Sequence, residues 1–144
     1  MSAAITEVVV DEERAGRWRT AVRCGDGREI RVEVADGGDE PEAYGTFLAV
    51  ADARGRLAKT TATQDLIGKR VGAAELDPTR IPFARNAKRQ WAPEMADADY
   101  FEDDDWDPDL RHEKIAVTLE DGTRVFLVAY CHDNAHRAIF AATM

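Results

Sequence analysis

The sequence predicts an α+β domain: about six mainly antiparallel strands in a curved sheet or partial barrel, with one or two helices packed on it. Three observations lead there. Apolar and charged residues alternate with period two around Gly-containing turns; the middle of the chain drops that alternation and gains prolines; and 144 residues suit a single domain, 1–144.

The first strand pair is expected over residues 18–35. Trp18, Thr20, Val22 and Cys24 alternate with Arg17, Arg19, Ala21 and Arg23, and after Gly25-Asp26-Gly27, Ile30, Val32 and Val34 alternate with Glu29, Arg31 and Glu33. The apolar set faces a core. Arginines on one strand stand opposite glutamates on the next, each such pair contributing roughly 0.2–1 kcal/mol. A second pair is expected over residues 46–60, turning near Arg54-Gly55. In the third, Ile115, Val117 and Leu119 alternate before Glu120-Asp121-Gly122-Thr123, and RVFLVAY follows from Arg124; the Asp-Gly suits a type I′ turn. His132-Asp133-Asn134-Ala135 breaks that strand and residues 137–143 return, so the C-terminal third reads as a three-stranded meander.

Helix is expected over residues 82–92, where Pro82 suits a first helical position and Pro93 blocks continuation. Phe83, Ala87 and Trp91 recur every four residues as an apolar stripe, while Arg85, Lys88 and Arg89 project elsewhere. A shorter helix is expected around residues 65–74, and the acidic, Gly-rich stretch 35–42 is expected to be a loop. The core is expected at Trp18, Val22, Ile30, Val32, Val34, Leu48, Val50, Phe83, Trp91, Ile115, Val117, Leu119, Val125, Leu127 and Ile139.

A formal charge of −9 argues against direct nucleic-acid binding, because phosphate recognition rests on Lys and Arg. No apolar run is long enough to span a bilayer, and the N-terminus lacks the positive head and apolar stretch of a signal peptide, so the cytoplasm is the expected compartment. Cys24 and Cys131 then read as small buried apolar side chains in a reducing environment. Ser2 is the sole serine, which removes serine-nucleophile hydrolysis.

Charge is segregated along the chain. Residues 54–90 hold nine Lys or Arg and three acids, whereas residues 91–113 hold ten acids and one arginine. Within the acidic block, Asp103, Asp105, Asp107 and Asp109 follow the alternating spacing of a calcium loop, but Pro108 and Lys114 stand where an EF-hand needs Gly and Glu. The block has a clearer logic as a protein-binding surface. Asp99, Asp103, Asp104, Asp105, Asp107 and Asp109 would steer a basic partner inward, and Tyr100, Phe101 and Trp106 would supply anchors of the kind that dominate interface energies. The competing structural reading packs those rings on the protein's own core and pairs the acids with Arg85, Lys88 and Arg89.

Cys131, His132, His136 and His112, with Asp133 nearby, are ligand types that zinc takes, without the C-x-x-C spacing of a structural site. As a nucleophile, Cys131 is disfavoured because it continues the alternation of Val125, Leu127 and Ala129. The segment 122–140, GTRVFLVAYCHDNAHRAIF, resembles the strand-turn-strand of WYL ligand-sensing domains over 19 of 144 residues, with Val125-Phe126 where that family shows Trp-Tyr, and no function is carried over from it.

The function expected from these residues is that of an acidic cytoplasmic interaction module, of the immunity-type inhibitor kind, that binds and neutralises a basic protein partner. No catalytic residue, metal or cofactor is assigned, and neither nucleic acid nor membrane is expected as a partner. The alternative is a small-molecule or metal-binding domain with a Cys/His site.

Overall fold

In the computed structural model of the chain, the described residues are 3–35, 44–51, 57–60, 62–77, 110–132 and 139–144. They form nine strands: β1 (Ile5–Arg14), β2 (Arg17–Cys24), β3 (Glu29–Ala35), β4 (Tyr44–Ala51), β5 (Leu57–Lys59), β6 (Val71–Leu76), β7 (Leu110–Leu119), β8 (Arg124–His132) and β9 (Ile139–Thr143). One short 3-10 helix, Thr63–Leu66, precedes β6. Among the described residues no helix reaches seven residues, so the α+β expectation is corrected to a nearly all-β fold in two antiparallel sheets. The sheet orders are β1-β2-β3-β9 and β5-β4-β8-β7-β6. The helix expected over 82–92 lies outside the described residues. The helix expected around 65–74 is replaced by the 3-10 turn and β6, because Gly68 at φ +89° ends the turn and Val71–Leu76 pairs with β7.

All three expected strand pairs form. β2 and β3 pair from Arg17↔Ala35 to Arg23↔Glu29, β4 pairs with β5, and β7 with β8. The turns of the first and third share one design. Cys24 N–H donates to Arg28 O and Leu119 N–H to Thr123 O, leaving three-residue loops whose last members, Gly27 and Gly122, take positive φ. Asp26 and Asp121 each accept the backbone N–H two residues on, at 2.9 Å. Asp121 lacks the positive φ of a type I′ turn, so that expectation is corrected to the three-residue loop. The I′ pattern of two positive-φ residues falls instead at Ala15-Gly16, between β1 and β2.

The C-terminal meander is also corrected. β8 gives its second edge to β4, through Tyr44↔Cys131 to Val50↔Val125, and β9 crosses to the other sheet to pair with β3. There Phe140 and Ala142 lie opposite Val34 and Val32 and pack on the core. The segment likened to WYL domains is therefore not a strand-turn-strand within one sheet.

The sheets face each other across Val22, Ile30, Val32 and Val34 on one side and Leu48, Ile115, Val117, Leu119, Val125 and Leu127 on the other. Each fully buried aliphatic side chain contributes about 1.5–3 kcal/mol. Trp18 and Val50, expected in the core, are partly buried at its margin. Backbone hydrogen bonds join the sheets at one corner: Ile5 N–H donates to Lys69 O and Gly68 N–H to Ile5 O, both at 2.8 Å, beside an Ala4↔Arg70 bridge.

The two sheets differ in their second faces. On β2–β3 that face is a ladder of ion pairs, with Arg23 2.8 Å from Glu29, Arg31 2.8 Å from Glu33 and Arg19 2.9 Å from Glu12. The cross-strand arginine–glutamate pairing expected from the alternation is present. On β4–β8–β7, however, Phe47, Ala49, Phe126, Val128, Tyr130 and Ala116 are buried as completely as the inward residues. A strand buried on both faces reads as a continuous apolar run, and RVFLVAY is one.

Candidate functional site

Asp99, Tyr100, Phe101, Asp103, Asp104, Asp105, Trp106, Asp107 and Asp109, the residues expected to bind a partner, all lie outside the described residues. Of the expected Cys/His group, only the ring of His112 is described; the strand register sets His112 opposite Tyr130, Arg111 opposite Cys131 and Leu110 opposite His132. Among the described residues no group of three His, Cys, Asp or Glu side chains is arranged to hold a metal ion. Cys24 is buried and its thiol pKa is pushed up, mainly by desolvation, which keeps it an inert apolar side chain.

The unexpected feature is Lys114. On β7 it alternates with Ile115 and Val117 and so falls on the outward face; β8 places Val128 opposite it. Because that face is buried, the Lys114 side chain has 0% exposure. Burying an ammonium requires partners. The β6–β7 ladder supplies one, since Asp77, just past β6, donates its N–H to Lys114 O at 3.0 Å and so sits beside the lysine. Lys114 Nζ donates to Asp77 O at 3.1 Å, with Asp77 Oδ1 at 3.9 Å and His112 Nε2 at 3.4 Å. Arg124 Nη2 is 3.9 Å from Asp77 Oδ2, and its guanidinium lies 5.2 Å from the Phe126 ring centre.

The balance of these charges is set by burial. Desolvation lowers the Lys114 pKa, the Asp77 carboxylate opposes that shift, and Arg124 adds to it. Leu76, Asp77, His112, Glu113 and Lys114 line a cleft of about 280 Å³. An amine held out of water, an imidazole within proton-transfer reach and a flanking carboxylate together can bind a small polar molecule and move protons at its edge.

No protein-family model, curated protein or solved structure matches the chain. Its function is therefore argued from its own residues. No helix among the described residues is long and apolar enough to cross a membrane.

The sequence reading missed Lys114 because it assigned one buried face to β7. The signal that would have found it was the unbroken RVFLVAY run: a neighbour buried on both faces leaves no solvent-facing side for the lysine opposite Val128.

Proposed function

We propose that the protein is a cytoplasmic acidic interaction module that binds and neutralises a basic protein partner, as small immunity-type inhibitors do. The contacts would come from Asp99, Asp103, Asp104, Asp105, Asp107 and Asp109, with Tyr100, Phe101 and Trp106 as anchors. One observation carries this reading, the partition of charge. The described residues hold thirteen Asp or Glu against twelve Lys or Arg, a net of −1, so −8 of the chain's −9 belongs to other residues, chiefly 36–43 and 78–109. The arginines of β2–β3 are already matched by glutamates on their own sheet. The uncompensated charge falls as −5 in residues 78–109, which contain the acidic–aromatic block, and as −4 in residues 36–43, and charge of this sign favours fast, salt-sensitive association with a cationic surface.

The test is capture of partners from the native cell at low and high salt, using the wild-type chain, Trp106→Ala and a chain with Asp103, Asp104, Asp105, Asp107 and Asp109 all changed to Asn. A basic protein released by salt is expected, with Trp106→Ala costing about 2 kcal/mol of affinity, more than any single Asp→Asn change. Equal capture by the neutralised chain overturns the reading.

A further inference from the structure

We infer that the second face of β4–β8–β7 is the seat of the chain's own residues 78–93, which add a third layer to the two sheets. This seat is distinct from the acidic block and does not depend on that block binding a partner. Along these strands Leu48, Ile115, Val117 and Leu127 face the other sheet, so Phe47, Ala49, Ala116, Phe126 and Val128 face away from it. Those five are nevertheless only 0–1% exposed. Tyr130, on the same face, is buried too, and its ring lies 5.7 Å from that of Phe47. The burial stops at β6, where Ala73 and Glu75 are exposed. All nine described strands belong to the two sheets, and the sheet opposite covers only the inward face. The cover therefore comes from other residues of the chain. Because the burial is complete within one chain, it calls for no second copy.

Composition and reach select the segment. Outside the described residues, 36–43, 52–56 and 133–138 hold only alanine and proline as apolar residues, and Met1 adjoins the corner where Ala4 bridges Arg70. Residues 78–109 hold Ile81, Phe83, Trp91 and four further large apolar residues. That segment leaves from Asp77, which stands opposite Lys114 and so on the same face, and returns at Leu110, the first residue of β7. From β7 across β8 to β4 is about 10 Å. The six residues from Asp77 to Phe83 reach up to about 20 Å when extended, so Phe83 and its successors can span the face. Charge then decides between the two halves. Residues 78–93 hold Arg80, Arg85, Lys88 and Arg89 and no acid, whereas 94–109 hold nine acids. Arginine and lysine stems lie along apolar surface with their heads in water, but a carboxylate on a short stem is desolvated with the ring beside it. Phe83 and Trp91 are thus the rings assigned to Phe126, Val128 and Tyr130, and Trp106 stays with the acidic block.

Nuclear Overhauser contacts in the isotope-labelled whole chain decide it. The ring protons of Phe83 and Trp91 are expected to contact the Val128 methyls and the Phe126 and Tyr130 rings. Contacts to that face from Trp106 in their place, or from none of these rings, overturn the assignment. So do contacts that appear only between a labelled and an unlabelled chain, which would give the face to a second copy. These outcomes are read on the wild-type chain and do not depend on a variant folding. Phe83→Asp and Trp91→Asp should each uncover the face, raising the fluorescence of bound 1-anilinonaphthalene-8-sulfonate several-fold. Unchanged dye binding by both variants overturns the seat as well. Salt-sensitive capture of a basic partner reads the acidic block separately, so the failure of one result is distinguishable from the failure of the other.

Discussion

Thr20 Oγ1 donates a 2.8 Å hydrogen bond to Thr46 Oγ1, joining β2 of one sheet to β4 of the other inside the core. Asp11 closes the circuit. Its N–H donates to Thr20 Oγ1 at 3.0 Å, and its Oδ1 accepts the Thr46 N–H at 3.1 Å. The geometry requires an irregular backbone: Asp11 has φ 49° and lies where the β1–β2 register shifts between Val9 and Glu12.

Asp11→Ala is expected to destabilise the fold by about 2–4 kcal/mol. It leaves the buried Thr46 N–H without its acceptor and puts a methyl-bearing residue into left-handed backbone. Asp11→Asn keeps an acceptor oxygen and tolerates positive φ, so it should recover most of the loss. Urea unfolding of the three chains checks both changes.

Gly45 is the second constraint on this corner. A Cβ there would stand 3.1 Å from the Tyr130 hydroxyl and 3.3 Å from Asp11 Oδ1, and both groups are held, Tyr130 by burial and Asp11 by the threonine circuit. Gly45→Ala should cost about 1–3 kcal/mol by overpacking. Its effect should shrink in a Tyr130→Phe background, which removes the nearer of the two atoms, and a double-mutant cycle in thermal unfolding would read this.

The sequence made local pairing legible and distant pairing obscure. Val22, Ile30, Val32 and Val34 faced the core because one sheet face is apolar and the other charged, a pattern that period-two alternation reports directly. The β1–β2 pair gave no such signal: its acidic end resembles a solvated tail, and Ala15-Gly16 lacks the Asn-Gly or Asp-Gly mark of an I′ turn. β9 was legible as a strand but not as a partner of β3, since its neighbour in sequence, β8, is flanked on both edges. Lys114 escaped for a related reason, because only the third dimension shows that the charged residue of an alternating strand faces a second buried layer. The acidic segment around Trp106 lies outside the described residues, so the structure leaves that expectation where the sequence put it.

The ion-pair face of β2–β3 sets an acid-side limit on stability. The Arg23 hydrogen bond, followed by that of Arg31, holds the Glu29 carboxyl below its ordinary value. A carboxylate with a depressed folded pKa contributes stability that is present above its unfolded value of 4.5 and is lost as pH falls through the folded value. Glu29→Gln should therefore flatten the stability-against-pH curve below about pH 4.5 while costing no more than about 1 kcal/mol at neutral pH, since the pairs are partly solvated. Half-molar salt should reduce the neutral-pH difference further. By NMR, Asp121 should titrate at about 2, held there first by the Thr123 backbone N–H and then by Lys69.

Lys114 makes the opposite prediction on the alkaline side. Its folded pKa is lowered from 10.5, so the unfolded chain binds the proton more tightly than the folded one. Below the folded value both states are charged and the burial penalty is fully expressed; as pH rises through the folded value towards 10.5, the folded chain sheds its proton first and gains stability relative to the unfolded chain. Lys114→Met fills the same space on a face otherwise made of Phe47, Phe126 and Val128, so it should be neutral or stabilising by about 1–4 kcal/mol at neutral pH. Asp77→Ala should instead destabilise by roughly 3–5 kcal/mol, because it removes the carboxylate that offsets the burial of the ammonium. Urea midpoints of wild type and Lys114→Met measured from about pH 7 to 10 should converge as pH rises. A gap that stays constant across that range would mean that Lys114 carries its proton equally well in both states, against the lowering that its burial causes.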